Sequence, residues 1–373
     1  MLLSTATLVT AITGYGRQGL LAFAVMAGLG LWAGPALSQS VWTPVTTDYN
    51  LGTNWTPNGV PTGTAIFDTN TVVDLNVTAS TSLLGWTFNT GAGAYTFDNQ
   101  FTLEFTGAGI AVNAGSATII NKAGADTYFF ANSKAGSATI TNDDTLYFED
   151  TSTAGSATIT NNARLRFYDT STGGSATITN ELGGTIDFKS TSSAGSATIN
   201  NELGGTINFD TSSNAGSANI TNNLGGTVTF AGTSNAGSAT IINNNILDFD
   251  GDSKAGSATI INAAQLRFRT NGSADNATIT NNNLLGFRDT STAGSATITN
   301  NATLQFNETS TGGQAQFITN AMAVTDFSGS TGPLGDGRLT AGSLAGAGDY
   351  FLGANELTVG GNNLSTEVSG VLL

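Results

Sequence analysis

The chain has 373 residues, among them 48 glycines but neither cysteine nor histidine, and 11 basic against 26 acidic residues give a formal net charge of −15. Without His or Cys, a histidine-based catalytic triad, a thiol nucleophile, a disulfide and a zinc–thiolate site are excluded. The acidic balance also argues against nucleic acid and anionic membrane surfaces as partners, because both are bound by clustered Lys and Arg. Carboxylate chemistry, hard-cation binding and purely structural roles remain.

The N-terminus resembles a targeting segment. Residues 19–33 form an uncharged apolar run preceded by Arg17, and this run is shorter than the roughly 20 residues that a transmembrane helix needs. The small-x-small triplet Ala36-Leu37-Ser38 comes after it, as at a signal-peptidase site. We therefore predict a signal peptide over residues 1–38 and an exported protein. An uncleaved membrane anchor is the alternative.

Residues 39–112 differ in composition from the remainder of the chain and contain Trp42, Trp55 and Trp86. The stretch NWTPNGVPTGTAIFD is irregular, which favours an N-terminal β cap that covers the open end of a repeat array. The alternative is a functional role, in which Trp42 and Trp55 belong to a sugar-binding aromatic platform.

A repeat containing the tract AGSATITN dominates the chain from residue 113 onward. Its glycine, replaced once by Asp, recurs at intervals of 19 or 21 residues, at positions 115, 136, 155, 174, 195, 216, 237, 256, 275, 294 and 313. The spacing from this glycine to a central apolar residue, usually Ile, is always four, and the spacing from a later Phe to the next glycine is always seven. The two extra residues therefore fall between Ile and Phe, where the sequence reads ELGG or NLGG. An even insertion keeps the phase of the strands.

Each repeat holds two strands of period two. In the repeat of Gly155, Ile159 and Phe167 point inward, whereas Arg166 and Tyr168 point outward. The predicted inward columns are Ile119, Ile140, Ile159, Ile178, Ile199, Ile220, Ile241, Ile260, Ile279, Ile298 and Phe317, then Phe129, Phe148, Phe167, Phe188, Phe209, Phe230, Phe249, Phe268, Phe287, Phe306 and Phe327, and between them Leu146, Leu165, Ile186, Ile207, Val228, Leu247, Leu266, Leu285 and Leu304.

Identical residues in register predict parallel stacking, because one repeat cannot bury its apolar face alone. The predicted fold is all-β: a right-handed parallel β-helix (β-solenoid) of 19- or 21-residue rungs over residues 113–334, followed by a C-terminal β segment over 335–373. Eleven rungs at about 4.8 Å give a rod of about 50 Å. An amide ladder is predicted at the strand ends, formed by Asn161, Asn180, Asn200, Asn222, Asn243, Asn262, Asn281 and Asn300.

An acidic file lies two residues after the Phe column, at Asp150, Asp169, Asp289 and Glu308. On adjacent rungs these carboxylates would stand about 5 Å apart, which suits paired acid chemistry or Ca²⁺. The alternative, which we favour, is a structural role: a solvated turn face that keeps the rod soluble. Because no rung carries an insertion longer than two residues to build a cleft, we predict no enzyme activity, no cofactor and no metal site.

These features resemble the passenger region of bacterial autotransporters (type V secretion). The resemblance rests on the signal with its long n-region, the NW-x-PNGVP-x₅-FD stretch, the Gly/Ser/Thr/Asn-rich repeats, and the tail over residues 348–370. It implies a β-helix displayed outside a Gram-negative outer membrane, or secreted. Family members end in a translocator barrel, which is absent here, so we expect a fragment of a longer protein or a truncated gene, with secretion by another protein as the third alternative.

The function expected from this resemblance is a non-enzymatic adhesin or structural spacer. A glycan or protein of a host or other surface would be its partner, and the membrane would be contacted only through the missing C-terminal barrel. The alternative is a β-helical protein that binds or degrades polysaccharide with the acidic file.

Overall fold

The alternation of apolar and polar residues folds each repeat into two short strands, and successive repeats stack in parallel. The computed structural model describes residues 39–373, so the predicted signal segment 1–38 lies outside the described residues. Within that range the chain is a parallel β-solenoid, which confirms the predicted all-β fold of stacked 19- and 21-residue rungs.

The strands in chain order are β1 Ser40–Trp42, β2 Trp55–Thr56, β3 Thr64–Phe67, β4 Asp74–Val77, β5 Thr81–Phe88, β6 Ala94–Asn99, β7 Leu103–Val112, β8 Ser116–Asn121, β9 Asp126–Phe129, β10 Thr139–Asn142, β11 Thr145–Phe148, β12 Thr158–Asn161, β13 Arg164–Phe167, β14 Thr177–Asn180, β15 Thr185–Phe188, β16 Thr198–Asn201, β17 Thr206–Phe209, β18 Asn219–Asn222, β19 Thr227–Phe230, β20 Thr240–Asn243, β21 Ile246–Phe249, β22 Thr259–Asn262, β23 Gln265–Phe268, β24 Thr278–Asn281, β25 Leu284–Phe287, β26 Thr297–Asn300, β27 Thr303–Glu308, β28 Gln316–Thr319, β29 Val324–Ser330, β30 Arg338–Thr340, β31 Ser343–Ala345, β32 Asp349–Phe351 and β33 Glu356–Thr358. A 3₁₀ helix spans Gly52–Asn54.

These strands form two long sheets. Sheet A has 17 strands and contains the Phe column, whereas sheet B has 14 strands and contains the Ile column; β30 and β33 form a separate pair. Both long sheets run through the N-terminal region as well as the repeats. Fourteen strands about 4.8 Å apart make a rod of about 60 Å.

The two-residue insertions leave the register intact. Ile178 pairs with Ile159 on one side and with Ile199 on the other, although the first interval is 19 residues and the second is 21. The extra residues lie in the turn between the two strands, where Gly183 has a φ of 78°. The prediction that an even insertion preserves the inward face is therefore confirmed.

A third line of contact joins the coils, which the sequence reasoning did not predict. One residue per coil, just before the Ala-Gly corner, forms an isolated parallel bridge to its counterparts in the neighbouring coils. These residues are Lys134, Thr153, Thr172, Ser193, Asn214, Asn235, Lys254, Ser273, Thr292 and Thr311. Each coil is thus held along two strands and at one corner.

The predicted apolar columns form the core. All of their members are at most 1% exposed. The Phe rings stack from Phe105 to Phe306 and on to Phe327, with centroids of successive rings 4.5–4.9 Å apart. Stacked aromatic contacts at these distances stabilise the core beyond the area they bury.

A ladder of buried Asn side chains runs beside this core, and it is longer than predicted. It consists of Asn99, Asn121, Asn142, Asn161, Asn180, Asn201, Asn222, Asn243, Asn262, Asn281 and Asn300. The prediction of Asn200 was wrong by one residue. Asn201 is the residue two positions after inward Ile199, whereas Asn200 pairs with Thr179 and Thr221 on the outward face.

The repeat glycine occupies a corner that few other residues fit. Gly195 has a φ of 66°, and a Cβ atom there would lie 2.6 Å from the carbonyl oxygen of Gly174 in the preceding coil. Both the left-handed backbone and the close approach of two coils therefore require glycine. Asp275, with a φ of 52°, takes this place in one coil.

Candidate functional site

The acidic file occupies the tight turn that comes after the Phe column. Asp150, Asp169, Asp289 and Glu308 all have φ between 54° and 57°, and the turn has a positive φ in the intervening coils too. The structure brings the four together as two adjacent-coil pairs, Asp150 with Asp169 and Asp289 with Glu308. Coils with Ser190, Thr211, Gly232, Gly251 and Thr270 at the same position separate the pairs.

Each acidic side chain caps the turn of the preceding coil. The Ala131 N–H donates to Asp150 Oδ2 at 2.8 Å, and the Asp150 N–H donates to Asp169 Oδ2 at 3.3 Å. Likewise, Asp289 accepts from the N–H of Thr270 at 2.9 Å, and Glu308 accepts from the N–H of Asp289 at 2.6 Å. In residues 39–373 no group of three or more acidic side chains is arranged to hold a metal ion. This arrangement favours the turn-face interpretation over paired acid chemistry.

The two candidate tryptophans lie in the core of the cap, so they form no surface platform for a sugar. Trp42 is 2% exposed and Trp55 is 0% exposed, and their ring centroids are 4.9 Å apart in an edge-to-face contact. The Trp55 Nε1–H donates to the Tyr49 carbonyl at 2.8 Å. The burial of both rings agrees with the capping interpretation and leaves neither ring face exposed for a sugar-binding platform.

A different surface feature stands out on the outward face of sheet A. An open depression of about 380 Å³ is lined by Tyr147, Glu149, Arg166, Tyr168 and Asp169 from two adjacent coils. Period two places Tyr147 and Arg166 outward from their strands, in register with each other, and places Glu149 and Tyr168 just after the inward Phe residues. We call this feature the Tyr147–Tyr168 depression.

Tyr147 and Arg166, which line the depression, are held in place by contacts with each other and with neighbouring residues. The rings of Tyr128 and Tyr147 are parallel, with centroids 4.4 Å apart, and the Arg166 guanidinium lies 5.5 Å from the centroid of Tyr147. Arg166 Nη1 donates to Tyr147 Oη at 3.2 Å, and its Nε atom lies 3.7 Å from Asp187 Oδ2. The guanidinium is therefore held by a ring and a carboxylate of this chain.

Two of the residues that line the depression, Glu149 and Asp169, carry carboxylates that form no ion pair within residues 39–373. Burial raises the pKa of the half-buried Glu149, and the nearby carboxylates of Asp169 and Asp150 raise it further. These two causes are desolvation of the charged form and repulsion between like charges. Arg166, which lines the same depression, is already engaged by Asp187.

Sequence reasoning assigned outward directions to Arg166 and Tyr168 but attached no function to them. The signal that marks this site is compositional. In most other coils the corresponding outward positions hold small or charged residues such as Thr229 and Ala231, whereas three neighbouring coils hold aromatic residues there. The depression forms only because outward residues of two adjacent coils are in register. Its lining therefore depends on the stacking of the coils as well as on the composition of each coil.

A second charged cluster on the same face is satisfied internally. Asp248, 5% exposed, accepts from both Nε and Nη2 of Arg267, and Arg269 Nη2 lies 3.3 Å from Asp248 and 3.3 Å from Asp250. The hydrogen bond from Thr270 is the main cause that lowers the pKa of Asp250. Carboxylates that are neutralised in this way stabilise the sheet face and leave little charge for a ligand.

Comparison of the chain with protein-family models, curated proteins and solved structures finds no match. None of the helical structure within residues 39–373 is long and apolar enough to cross a membrane.

Proposed function

We propose that this protein is an exported, non-enzymatic rod of the autotransporter-passenger type, which serves as an adhesin or as a spacer on the bacterial surface. The observation that carries the proposal is the uniformity of the stack. Within the repeats, coil length varies by two residues only, and the buried columns continue from the cap into the repeats. A solenoid of this kind sets a distance and presents a long lateral face.

The signal-like N-terminus and the resemblance of the repeats to passenger sequences support the exported location. The proposal therefore predicts a mature protein that begins at Gln39 and is reached by protease added to intact Gram-negative cells. N-terminal sequencing of the surface fraction tests both statements. A protein retained in the cytoplasm with Met1 intact would contradict the proposal.

The spacer role predicts that length is adjustable. Deletion of residues 195–236 removes two 21-residue coils and joins Ala194 to Gly237, so all spacings from Phe188 onward are preserved. We expect a folded rod about 10 Å shorter by small-angle X-ray scattering. As a control, deletion of residues 195–235 shifts the phase by one residue and should abolish cooperative folding.

The second candidate function is degradation of a polysaccharide by the carboxylates of the acidic file. Its support is weakened by the hydrogen bonds that engage those carboxylates with backbone N–H groups of the preceding coil. Turnover of a glycan that is lost in Asp169→Asn would favour this alternative. Binding without turnover would favour the adhesin.

A further inference from the structure

We propose that the Tyr147–Tyr168 depression is a saccharide-binding subsite that takes an amino sugar, with the pyranose ring against Tyr168 and the ammonium group between Glu149 and Asp169. The inference rests on the proposed adhesive function and deepens it by naming a ligand class and a place for it on the rod.

The aromatic part of the site is Tyr168. Tyr147 is unavailable for stacking, because Tyr128 covers one face of its ring and Arg166 lies over the ring as well. Tyr168 stacks on no other ring within the described chain, and it lines the depression directly. An aromatic ring with a polar tip suits a sugar, whose C–H face is apolar and whose rim carries hydroxyl groups.

The charge of the site favours a cation. Glu149 and Asp169 both line the depression, and Asp150 comes directly after Glu149 in the chain. The single guanidinium that lines this depression is turned toward Tyr147 and Asp187, 3.2 Å and 3.7 Å away. An ammonium group would therefore meet two carboxylates without displacing an existing ion pair, and the acidic rod as a whole attracts cations. The same field disfavours uronic acids.

The shape of the site favours a polymer over a single sugar. The depression is shallow and open, and it lies on the outward face of a sheet that continues for several coils on both sides. A free monosaccharide would bury only part of its surface there. An internal unit of a chain gains from its neighbours, because they extend along the same face.

The test is titration calorimetry of the purified mature rod with a β-1,4-linked glucosamine hexamer. We expect binding of the hexamer, and binding at least tenfold weaker of the N-acetylated hexamer, which has the same rings without the charge. Glu149→Gln and Tyr168→Ala should each weaken glucosamine binding at least tenfold. Because Glu149→Gln removes a half-buried charge, this variant should stay folded, and its loss of affinity would report the site itself.

Asp169→Asn and Asp289→Asn form a matched pair, because both residues cap the preceding turn but only Asp169 lines the depression. We expect weaker binding in the first and unchanged binding in the second. Equal affinity of all variants, or no binding to folded wild type, would overturn the proposal. Tighter binding of an oligolysine peptide at the same residues would assign the site to a protein partner instead. Surface export is measured separately, so failure here leaves the rod function standing.

Discussion

The side-chain amide of Asn180 donates to Oδ1 of Asn201 at 2.8 Å, and the amide of Asn201 donates to Asn222 at the same distance. Asn201 Nδ2 also donates to the carbonyl of Gly205 at 2.9 Å. One buried side chain thus joins three coils, and it ties the end of sheet B to the turn that leads into sheet A.

Asn201→Ala should therefore destabilise the rod by about 1–3 kcal/mol, because it leaves buried partners in the neighbouring coils unsatisfied. Asn200→Ala is the matched control, since Asn200 faces outward one position earlier, and its effect should stay within about 0.5 kcal/mol. Urea denaturation followed by circular dichroism measures both. Equal losses of stability in the two variants would contradict the assignment of Asn201, and not Asn200, to the buried ladder.

The repeat corner makes a second prediction. Gly195→Ala should lower stability by about 2 kcal/mol or more, because a Cβ atom there meets both an unfavourable φ and the carbonyl of Gly174. Gly286→Ala is the control: Gly286 has no positive φ, and nothing lies within 4 Å of the position of its Cβ. We expect Gly286→Ala to be neutral or slightly stabilising in thermal melts. A neutral Gly195→Ala would show that the coils can separate at this corner.

The acidic-file turn contains a β-branched residue in a conformation that suits Asn better. Thr211 has a φ of 63°, and its side chain makes no hydrogen bond within the described structure. Thr211→Asn should stabilise the rod by about 1 kcal/mol. The same replacement at Ser212, outside the left-handed region, should change stability by less than about 0.5 kcal/mol. The melting temperatures of the two variants test this prediction. A lower melting temperature for Thr211→Asn would show that the left-handed conformation of Thr211 does not destabilise the rod.

A buried Ser column lies beneath the corner bridges and gives a fourth prediction. The Ser192 hydroxyl is buried without a hydrogen-bond partner, whereas the Ser310 hydroxyl donates to the Asn307 carbonyl at 2.7 Å. Ser192→Ala should therefore be neutral or stabilising by about 1 kcal/mol, and Ser310→Ala should cost about 1 kcal/mol. Opposite signs in urea midpoints are expected. Loss of stability in Ser192→Ala would mean that its hydroxyl is satisfied in solution.

The raised pKa of Glu149 predicts a pH-dependent effect of its neutralisation. A carboxyl whose pKa is higher in the folded state opposes folding once it is ionised, and this opposition vanishes at pH values below its unfolded pKa. Glu149→Gln should therefore raise the melting temperature at pH 7 but not near pH 3. In an Asp169→Asn background the gain should shrink, because Asp169 contributes to the shift. An equal gain at both pH values would point to packing rather than charge.

The core was predictable from sequence because parallel stacking in register repeats the same side chain at the same place. Ile159 and Phe167 needed only the period of two and the constant spacings. The ladder prediction was wrong at Asn200 because two Asn residues follow each other at this strand end. Only the alternation of inward and outward residues, counted from inward Ile199, shows that Asn201 and not Asn200 points inward. The corner bridge through Thr153 involves one residue per coil, so it has no alternation of period two, and the residue type at this position varies from coil to coil.

The site was harder to predict than the fold. Trp55 was assigned two alternative roles, and the choice depended on tertiary burial in the cap, which composition does not report. Asp169 was located correctly in a file, but its hydrogen bond to the backbone of the preceding coil depends on turn geometry. The depression itself joins Tyr147 and Tyr168 across two coils, and its meaning depends on which outward residues become neighbours.

The direction of the bonds between coils has a mechanical consequence. Strand pairing, corner bridges and the Asn ladder all link one coil to the next, so tension on the two ends of the rod loads these interfaces in series. Such a rod yields at its weakest interface while the others stay closed. The Asn ladder runs from Asn99 to Asn300, and Val77 and Thr319 take the equivalent places beyond its two ends, so the interfaces outside the ladder lack its amide bonds. Under load, we expect the two ends of the rod to open before the coils that the ladder joins.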